Sequence, residues 1–371
     1  MPAALRTPVS FVVVLGILVF IHELGHYLAA RWRGVHVEAF SIGFGSSIFG
    51  WTDRHGTAWK VAWIPLGGYV KLHGQERAEE ASDATRASWI PGRTFHEKSV
   101  LSRAIIIAAG PVANFVLAAV LFIGLFAVMG QPVAGSDAAP VVGEVVAGTP
   151  AALGGLQPGD VVSAIGAEKV TRFADIQRIV STHPGDRLTL HIMRAGQARD
   201  VTVTAESQND GHGHVTGLLG IRGGAESFRK MSVFAAVPAG LAQTWLVGEQ
   251  TLAGVWEMMT RHGGTAQLGG PVRIAELSGQ VAALGLASLV SFIAVLSVNL
   301  GLINLFPIPV LDGGHLMFLL AEALRGRPLP IRAQEYGFRA GFALLIGLFV
   351  FATWNDLAHI GLFRWVAGLL G

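Results

Sequence analysis

Apolar residues run almost unbroken over 9–30, 104–129, 287–306 and 341–357. A helix of about 20 such residues crosses the hydrocarbon layer of a bilayer, so the pattern predicts four transmembrane helices. The first run follows Arg6 and continues through His22, Glu23 and His26 without a small-residue cleavage site, which predicts a retained helix and not a removable leader. The pattern changes between the second and third runs. From Pro140 to Ala205, short β-branched runs alternate with Gly/Pro turns, as expected of a small soluble α+β domain. Val233 to Met259 then places apolar residues at helical spacing, with Trp245 and Trp256. This predicts a helix that lies on the membrane surface, braces the spans, or packs on the inserted domain. Between the first two spans, Ser47–Thr52 and Thr57–Ile64 flank Asp53-Arg54-His55-Gly56 and read as a β-hairpin, followed by Pro65 to Lys71.

Composition agrees with a lipid environment: 14% of residues are charged, against about 25% in ordinary soluble domains. The excess of 27 Lys+Arg over 25 Asp+Glu leaves +2, too small and scattered for a nucleic-acid partner. With no cysteine, any metal must be held by His, Asp or Glu. Arg31, Arg33, Lys98 and Arg103 bracket the first connection between spans, and Arg325, Arg327, Arg332 and Arg339 fill the third. By the positive-inside rule these two connections are cytoplasmic, and both termini and the large middle region are periplasmic in a bacterial inner membrane. The expected fold is therefore an all-α polytopic membrane protein of about four transmembrane helices, with a membrane-associated β-hairpin on the cytoplasmic side and an inserted α+β periplasmic domain. The expected boundaries are 1–130 for the first half of the membrane core, with the hairpin region at 35–73. The inserted domain follows at 138–206, a linker and amphipathic helix region at 207–282, and the second half of the core at 283–371.

His22-Glu23-Leu24-Gly25-His26 is an H-E-x-x-H pattern inside the first span. Residues i and i+4 share a helix face, so both imidazoles can reach one ion while Glu23 sits beside a water in its open position. Three ionisable groups in a membrane span are costly unless they serve a function. Catalytic zinc needs a third ligand. The metzincin extension fails, because Ala29 and Trp32 stand where its Gly and third His would be. Glu38, Asp53 and His36 are conceivable but lie beyond the span. Asp312 is better placed: it ends the segment from Asn304 to Gly314, where Pro307 and Pro309 interrupt the third span, and irregular backbone at membrane depth implies a buried polar site. The first and third spans run in the same direction, so His22, about 20 Å along its helix from Val9, and Asp312 lie at the same level; Asn114 falls near it on the opposite heading.

These residues resemble the site-2 protease family of intramembrane zinc metalloproteases, and closely the bacterial regulator-of-sigma-E protease branch. The resemblance rests on the H-E-x-x-H helix, the N-x-x-P-x-P-x-L-D-G segment from Asn304 to Gly313, and the Gly110-Pro111…Asn114 element. It rests also on a PDZ-like stretch, Gly148-Thr149-Pro150-Ala151-Ala152 and Gly155-Leu156-Gln157-Pro158-Gly159-Asp160-Val161-Val162. One PDZ-like domain is legible where the best-known members carry two. The resemblance implies that His22, His26 and Asp312 bind one catalytic Zn²⁺, that Glu23 is the general base, and that Asn304, with Asn299, contacts substrate or steadies the tetrahedral intermediate. Asn114, Gly67 and Gly68 join the candidate substrate-binding residues, the glycines because they allow close backbone approach to the edge of the hairpin element. The implied substrates are single-span membrane proteins, such as anti-sigma factors and remnant signal peptides, with peptide termini as possible ligands of the PDZ-like domain. Two other readings are a membrane-bound zinc protease of quality-control type, with a third ligand other than Asp312, and a non-catalytic PDZ-bearing scaffold. His315 could be a ligand or a packing residue, and His212 and His214 form an H-x-H in a glycine-rich loop.

Overall fold

A computed structural model describes residues 3–75, 82–133, 139–209, 215–223, 227–260 and 270–359. The chain divides into two compact units, one of Met1–Leu125 with Val237–Gly371 and one of Phe126–Ala236.

Helix α1 (Ala3–Trp32) contains the first membrane span. Two long strands follow, β1 (Val37–Thr52) and β2 (Ala58–Leu72). Each bends back, so together they make four segments in the spatial order 47–52, 58–64, 37–44, 68–72. The hairpin expected around Asp53-Arg54-His55-Gly56 is present, with 47–52 paired to 58–62, and the sheet goes beyond it: residues 37–44 insert between 58–64 and 68–72, leaving 68–72 as an edge unpaired among the described residues. Gly43 and Gly45, with φ of +86° and +90°, let β1 turn, and burial drives the insertion. Val35, Val37, Phe40 and Leu72 are almost fully covered, packed with Tyr27 and Ala30 of α1, and Phe40 stacks on Trp59 at 4.3 Å. The second half of β1 is bare: Phe44, Ile48, Phe49 and Trp51 are exposed, as are Trp63 and Ile64 of β2. His73 ties the sheet to the next loop. Its Nδ1 lies 2.8 Å from Glu38 and its Nε2 accepts from the Ile90 amide. A short helix α2 (Asp83–Ala87) leads to α3 (Val100–Met129), which carries the second span.

The second unit begins with β3 (Gln131–Val133), which pairs with β12 (Ser227–Arg229), so its entry and exit are zipped together. Between them lie β4 (Val142–Val145), α4 (Pro150–Leu153), β5 (Val161–Ile165), β6 (Glu168–Lys169), α5 (Phe173–Ser181), β7 (Arg187–Arg194), β8 (Gln197–Thr204), β9 (Glu206–Asn209), β10 (Val215–Leu218) and β11 (Ile221–Gly223). The four-stranded sheet has the order β6-β5-β7-β8 and is antiparallel throughout. Helix α5 turns Phe173, Ile176, Ile179 and Val180 into a core shared with Val162, Leu190, Ile192 and Val203. The expectation that this domain ends at 206 and that a linker begins at 207 is corrected. β9 pairs with β10, β11 pairs with β4, and Leu219, 3% exposed, completes the core. The glycine- and histidine-rich stretch masks the alternation that follows it; His212 and His214 lie outside the described residues.

Asp160 anchors this unit. Its carboxylate is buried and takes two hydrogen bonds from Arg194, both at 2.7 Å, and one from the Gln157 amide. Burial alone would raise its pKa, but these donors, Arg194 foremost, hold it below the usual carboxylate value. A depressed folded-state value means that the pair stabilises the fold above the unfolded carboxyl's pKa and that this is lost as pH falls through the folded value. Asp160→Asn is expected to destabilise the unit by about 2 kcal/mol, below the range for a fully buried pair because Arg194 keeps a solvent face. Faster hydrogen exchange of the β5 and β7 amides would measure it, and unchanged exchange would refute it.

The chain returns through α6 (Val233–Thr260), α7 (Pro271–Ala283), α8 (Leu286–Leu305), α9 (Asp312–Arg325) and α10 (Ile331–His359). Helix α6 braces the spans: Gly240 lies on Ile123 of α3, and Thr251 donates to Asn299 Oδ1 of α8 at 2.8 Å. Asp356 of α10 caps α7, accepting from the amides of Gly270 and Arg273 at 2.9 and 3.0 Å. That satisfies backbone donors that would otherwise be orphaned at a buried helix start. α8 and α10 carry the third and fourth spans. Val9, Val12, Val13 and Ile17 of α1, and Leu344, Phe349 and Val350 of α10, stay exposed, as expected of faces solvated by lipid.

Candidate metal centre and its cavity

Three elements bring the candidate ligands together. The helical repeat of α1 puts His22 and His26 on one face, and the interruption between α8 and α9 at 306–311 places Asp312 at the start of α9. Val310 in that interruption has φ +96°, a conformation strained for a β-branched residue. His22 Nε2 and His26 Nε2 lie 3.2 Å apart, and Asp312 Oδ2 lies 3.1 and 3.5 Å from them. Three ligands of a tetrahedral zinc, each at about 2.0–2.1 Å, would be about 3.3 Å apart. The buried Asp312 Oδ2 has no hydrogen-bond partner of its own. The donor set, its spacing and that orphaned oxygen all fit a divalent zinc with one open position. Among the described residues this is the one His/Asp/Glu cluster arranged for a metal.

The groups behind the ligands fix their tautomers. His26 Nδ1 donates to the Ile106 carbonyl at 2.9 Å, which leaves Nε2 free as a lone pair. The Asn114 amide reaches His22 Nδ1 at 3.2 Å, and turned to present its oxygen it accepts the Nδ1 proton. Asn114 is fully buried, so it stands behind a ligand rather than on a substrate path, a correction to its expected role. Gly110 of α3 leaves room for both rings. The two imidazoles lie against its Cα, where a methyl would be 2.5 Å from His26 Cε1 and 2.9 Å from His22 Cε1.

A cavity of about 580 Å³ opens onto the ligands and is lined also by Glu23, Gly68, Tyr69, Val70, Asn304 and His315. Glu23 is half-buried, with the Val70 backbone turned toward its carboxylate and Gly68 against its stem. Asn304 donates one amide hydrogen to Leu300 O at 3.1 Å, which leaves a second for the cavity. Arg103 and Glu322 form a two-armed ion pair across one wall, at 2.5 and 3.2 Å, joining α3 to α9; no motif marked it in the sequence. Two candidates fall elsewhere. Asn299 is engaged by Thr251 of α6, and Gly67 is covered by the Phe44 ring. The rival third ligands are committed too: Glu38 to Lys71 and His73, and Asp53 to Trp59 and Tyr27. His315 donates to Leu311 O and packs on Phe338.

The model of peptidase family M50 matches residues 10–348. An Agrobacterium fabrum protein whose name assigns it to the zinc metalloproteases is 44% identical over 95% of this chain and 96% of its own. The metalloprotease MmpA of Caulobacter vibrioides is 37% identical over 97% and 98%, and the zinc metalloprotease RasP of Geobacillus kaustophilus 32% over 96% and 99%. Among solved structures, the PDZ domain of an SdrC-like protein from Listeria monocytogenes matches 24% of this chain and 92% of its own, at 16% identity and TM-score 0.19. With four helices among the described residues apolar and long enough to cross a bilayer, and a family match over most of its length, the chain belongs to peptidase family M50, the site-2 proteases, and is a zinc metalloendopeptidase of a bacterial membrane.

Proposed function

We propose that the enzyme hydrolyses peptide bonds within or near the transmembrane segments of single-span membrane proteins, with His22, His26 and Asp312 holding its zinc and Glu23 as general base. The observation that carries this reading is the convergence of three ligand atoms beside Glu23 in a cavity bordered by a strand edge that is unpaired among the described residues. When bound, zinc polarises the scissile carbonyl and brings the pKa of a water toward 7. Glu23 takes the proton of the attacking water and passes it to the leaving amine. The free amide hydrogen of Asn304 stabilises the developing oxyanion. A transmembrane helix hides its amides in its own hydrogen bonds, so the substrate must unwind. Segment 68–72 offers replacement partners by strand addition, and Gly68 lets the backbone come close.

Anti-sigma factors and remnant signal peptides fit as substrates. The basic flanks support an orientation with both termini and the inserted unit periplasmic and the site toward the cytoplasmic side. In the inserted unit, a groove of about 340 Å³ between α5 and β10–β11, lined by Phe173, Ile176, Val180, Leu218 and Ile221, supports binding of an extended peptide end in the manner of a PDZ domain. The test is cleavage of single-span substrates by the full chain in proteoliposomes, with and without chelator, with cuts mapped by mass spectrometry. Cuts confined to soluble flanks would overturn the proposal. Asn114→Ala is expected to weaken zinc binding ten- to a hundredfold, measured by chelator competition, because His22 loses its orienting partner; unchanged affinity would remove Asn114 from the site.

A further inference from the structure

A second cavity, of about 410 Å³, lies where α1 meets the hairpin turn and the loop before α3, lined by Arg31, Gly34, Val35, His36, Arg54, His55 and Arg93. Three arginines line it and, among the described residues, no Asp or Glu does. The side chains of Arg54 and Arg93 form no hydrogen bond or ion pair among the described residues, and both residues are exposed. Arg31 donates to the Tyr27 hydroxyl at 3.0 Å and lies over its ring. The described acids of these segments are already engaged, Glu97 by the Gly92 amide. Asp53 accepts from Trp59, Tyr27 and the amides of His55 and Thr57, which against the cost of desolvation hold its carboxyl at about 2. Glu38 is paired with Lys71 and His73. The pKa of His36 is lowered first by desolvation and then by His73, with smaller contributions from Arg93 and Arg31 against the opposing pull of Glu38.

The surroundings say what kind of anion comes here. Arg31 is in the last turn of a membrane span, Trp32 beside it is 72% exposed and Leu28 one turn earlier is 56% exposed. Trp51 and Phe49 of the neighbouring sheet are bare as well. An exposed tryptophan at the end of a span marks the level of lipid headgroups. We propose that this cavity binds the phosphate of an anionic phospholipid headgroup, with Arg31, Arg54 and Arg93 as the phosphate-binding residues and the exposed aromatic and aliphatic side chains against the acyl chains. Arginine suits phosphate because its planar fork presents paired N–H donors. A lipid held here would fasten the end of α1 and the hairpin turn to the membrane surface.

The test is native mass spectrometry of the purified, zinc-loaded full chain in detergent, titrated with phosphatidylglycerol, with phosphatidylcholine, and with inorganic phosphate alone. The wild type is expected to retain phosphatidylglycerol, and the Arg54→Gln/Arg93→Gln variant to bind it about 30-fold more weakly, from the roughly fivefold that each interfacial guanidinium contributes. Zinc content and cleavage of a soluble-detergent substrate should stay at the wild-type level, since neither side chain touches the site, and this also establishes that the variant is folded. Equal retention of phosphatidylglycerol by variant and wild type would overturn the proposal. So would inorganic phosphate filling the cavity as tightly as the lipid, or phosphatidylcholine binding as well as phosphatidylglycerol.

Discussion

Glu23→Gln is expected to lower kcat by roughly 10³-fold, in the middle of the range for removal of a general acid–base group, while the protein still binds one zinc. The amide has the carboxylate's shape, so the packing of Gly68 and Val70 around it is kept, but it cannot accept a proton from water at neutral pH. The ligand atoms of His22, His26 and Asp312 do not pass through Glu23, so metal content should not follow activity down. Turnover of a membrane-helix substrate and zinc stoichiometry, measured on the same preparation, separate base from ligand. Asp312→Ala is the contrasting case, losing both together. If Glu23→Gln kept more than a tenth of wild-type turnover, the proton would be moving through another group.

Much of this architecture is legible in the sequence because lipid imposes a simple rule: backbone polar groups must pair within the segment, so long apolar runs are helices. The spans appear at 5–32, 100–129, 286–305 and 331–356; the first, second and fourth extend the apolar runs where polar ends continue the same helix, and the third is shifted by one residue. The i, i+4 histidines and the Pro-interrupted segment before Asp312 were equally readable, since spacing and backbone chemistry alone constrain them. What the sequence hid depends on tertiary contact. Residues 37–44 show no strict alternation because their backbone is buried between two other segments and packed on α1, so the middle strand of the sheet reads as featureless. β11 is three residues long and is defined by its pairing with β4, far away in sequence. Asn114 looked like a residue at the depth of the site, and it is; that it faces His22 from behind depends on the rotation of α3, which apolar composition does not fix.

The same rotation gives Gly110 its importance, and Gly110→Ala is expected to abolish zinc binding in a helix that otherwise tolerates the change. Alanine is the better helix former by about 1 kcal/mol, so on propensity alone the substitution would stabilise α3. Geometry decides against it. The added methyl would overlap His26 Nε2 and lie 2.9 Å from His22 Cε1, where about 3.5–4.0 Å is the favourable separation between carbon atoms. Neither ring can retreat without cost. His26 is held from behind by the Ile106 carbonyl, and His22 by Asn114, which Ser297 in turn fixes through its backbone carbonyl at 2.8 Å. Relief must come from swinging His26 out of the ligand triangle or from separating α3 from α1, and Gly25 of α1 already lies against Ala109 with no space to spare. Either motion breaks a three-ligand set whose members must stay near 3.3 Å apart. Zinc content should fall below a tenth of an ion per chain and activity with it, while far-ultraviolet circular dichroism keeps its helical signal. Gly124→Ala, in the same helix with nothing within 4 Å of the new methyl, is the control and should behave as wild type. Full zinc occupancy in Gly110→Ala would mean that α1 and α3 can separate and still hold the metal, and that the close approach of these two helices is not what builds the site.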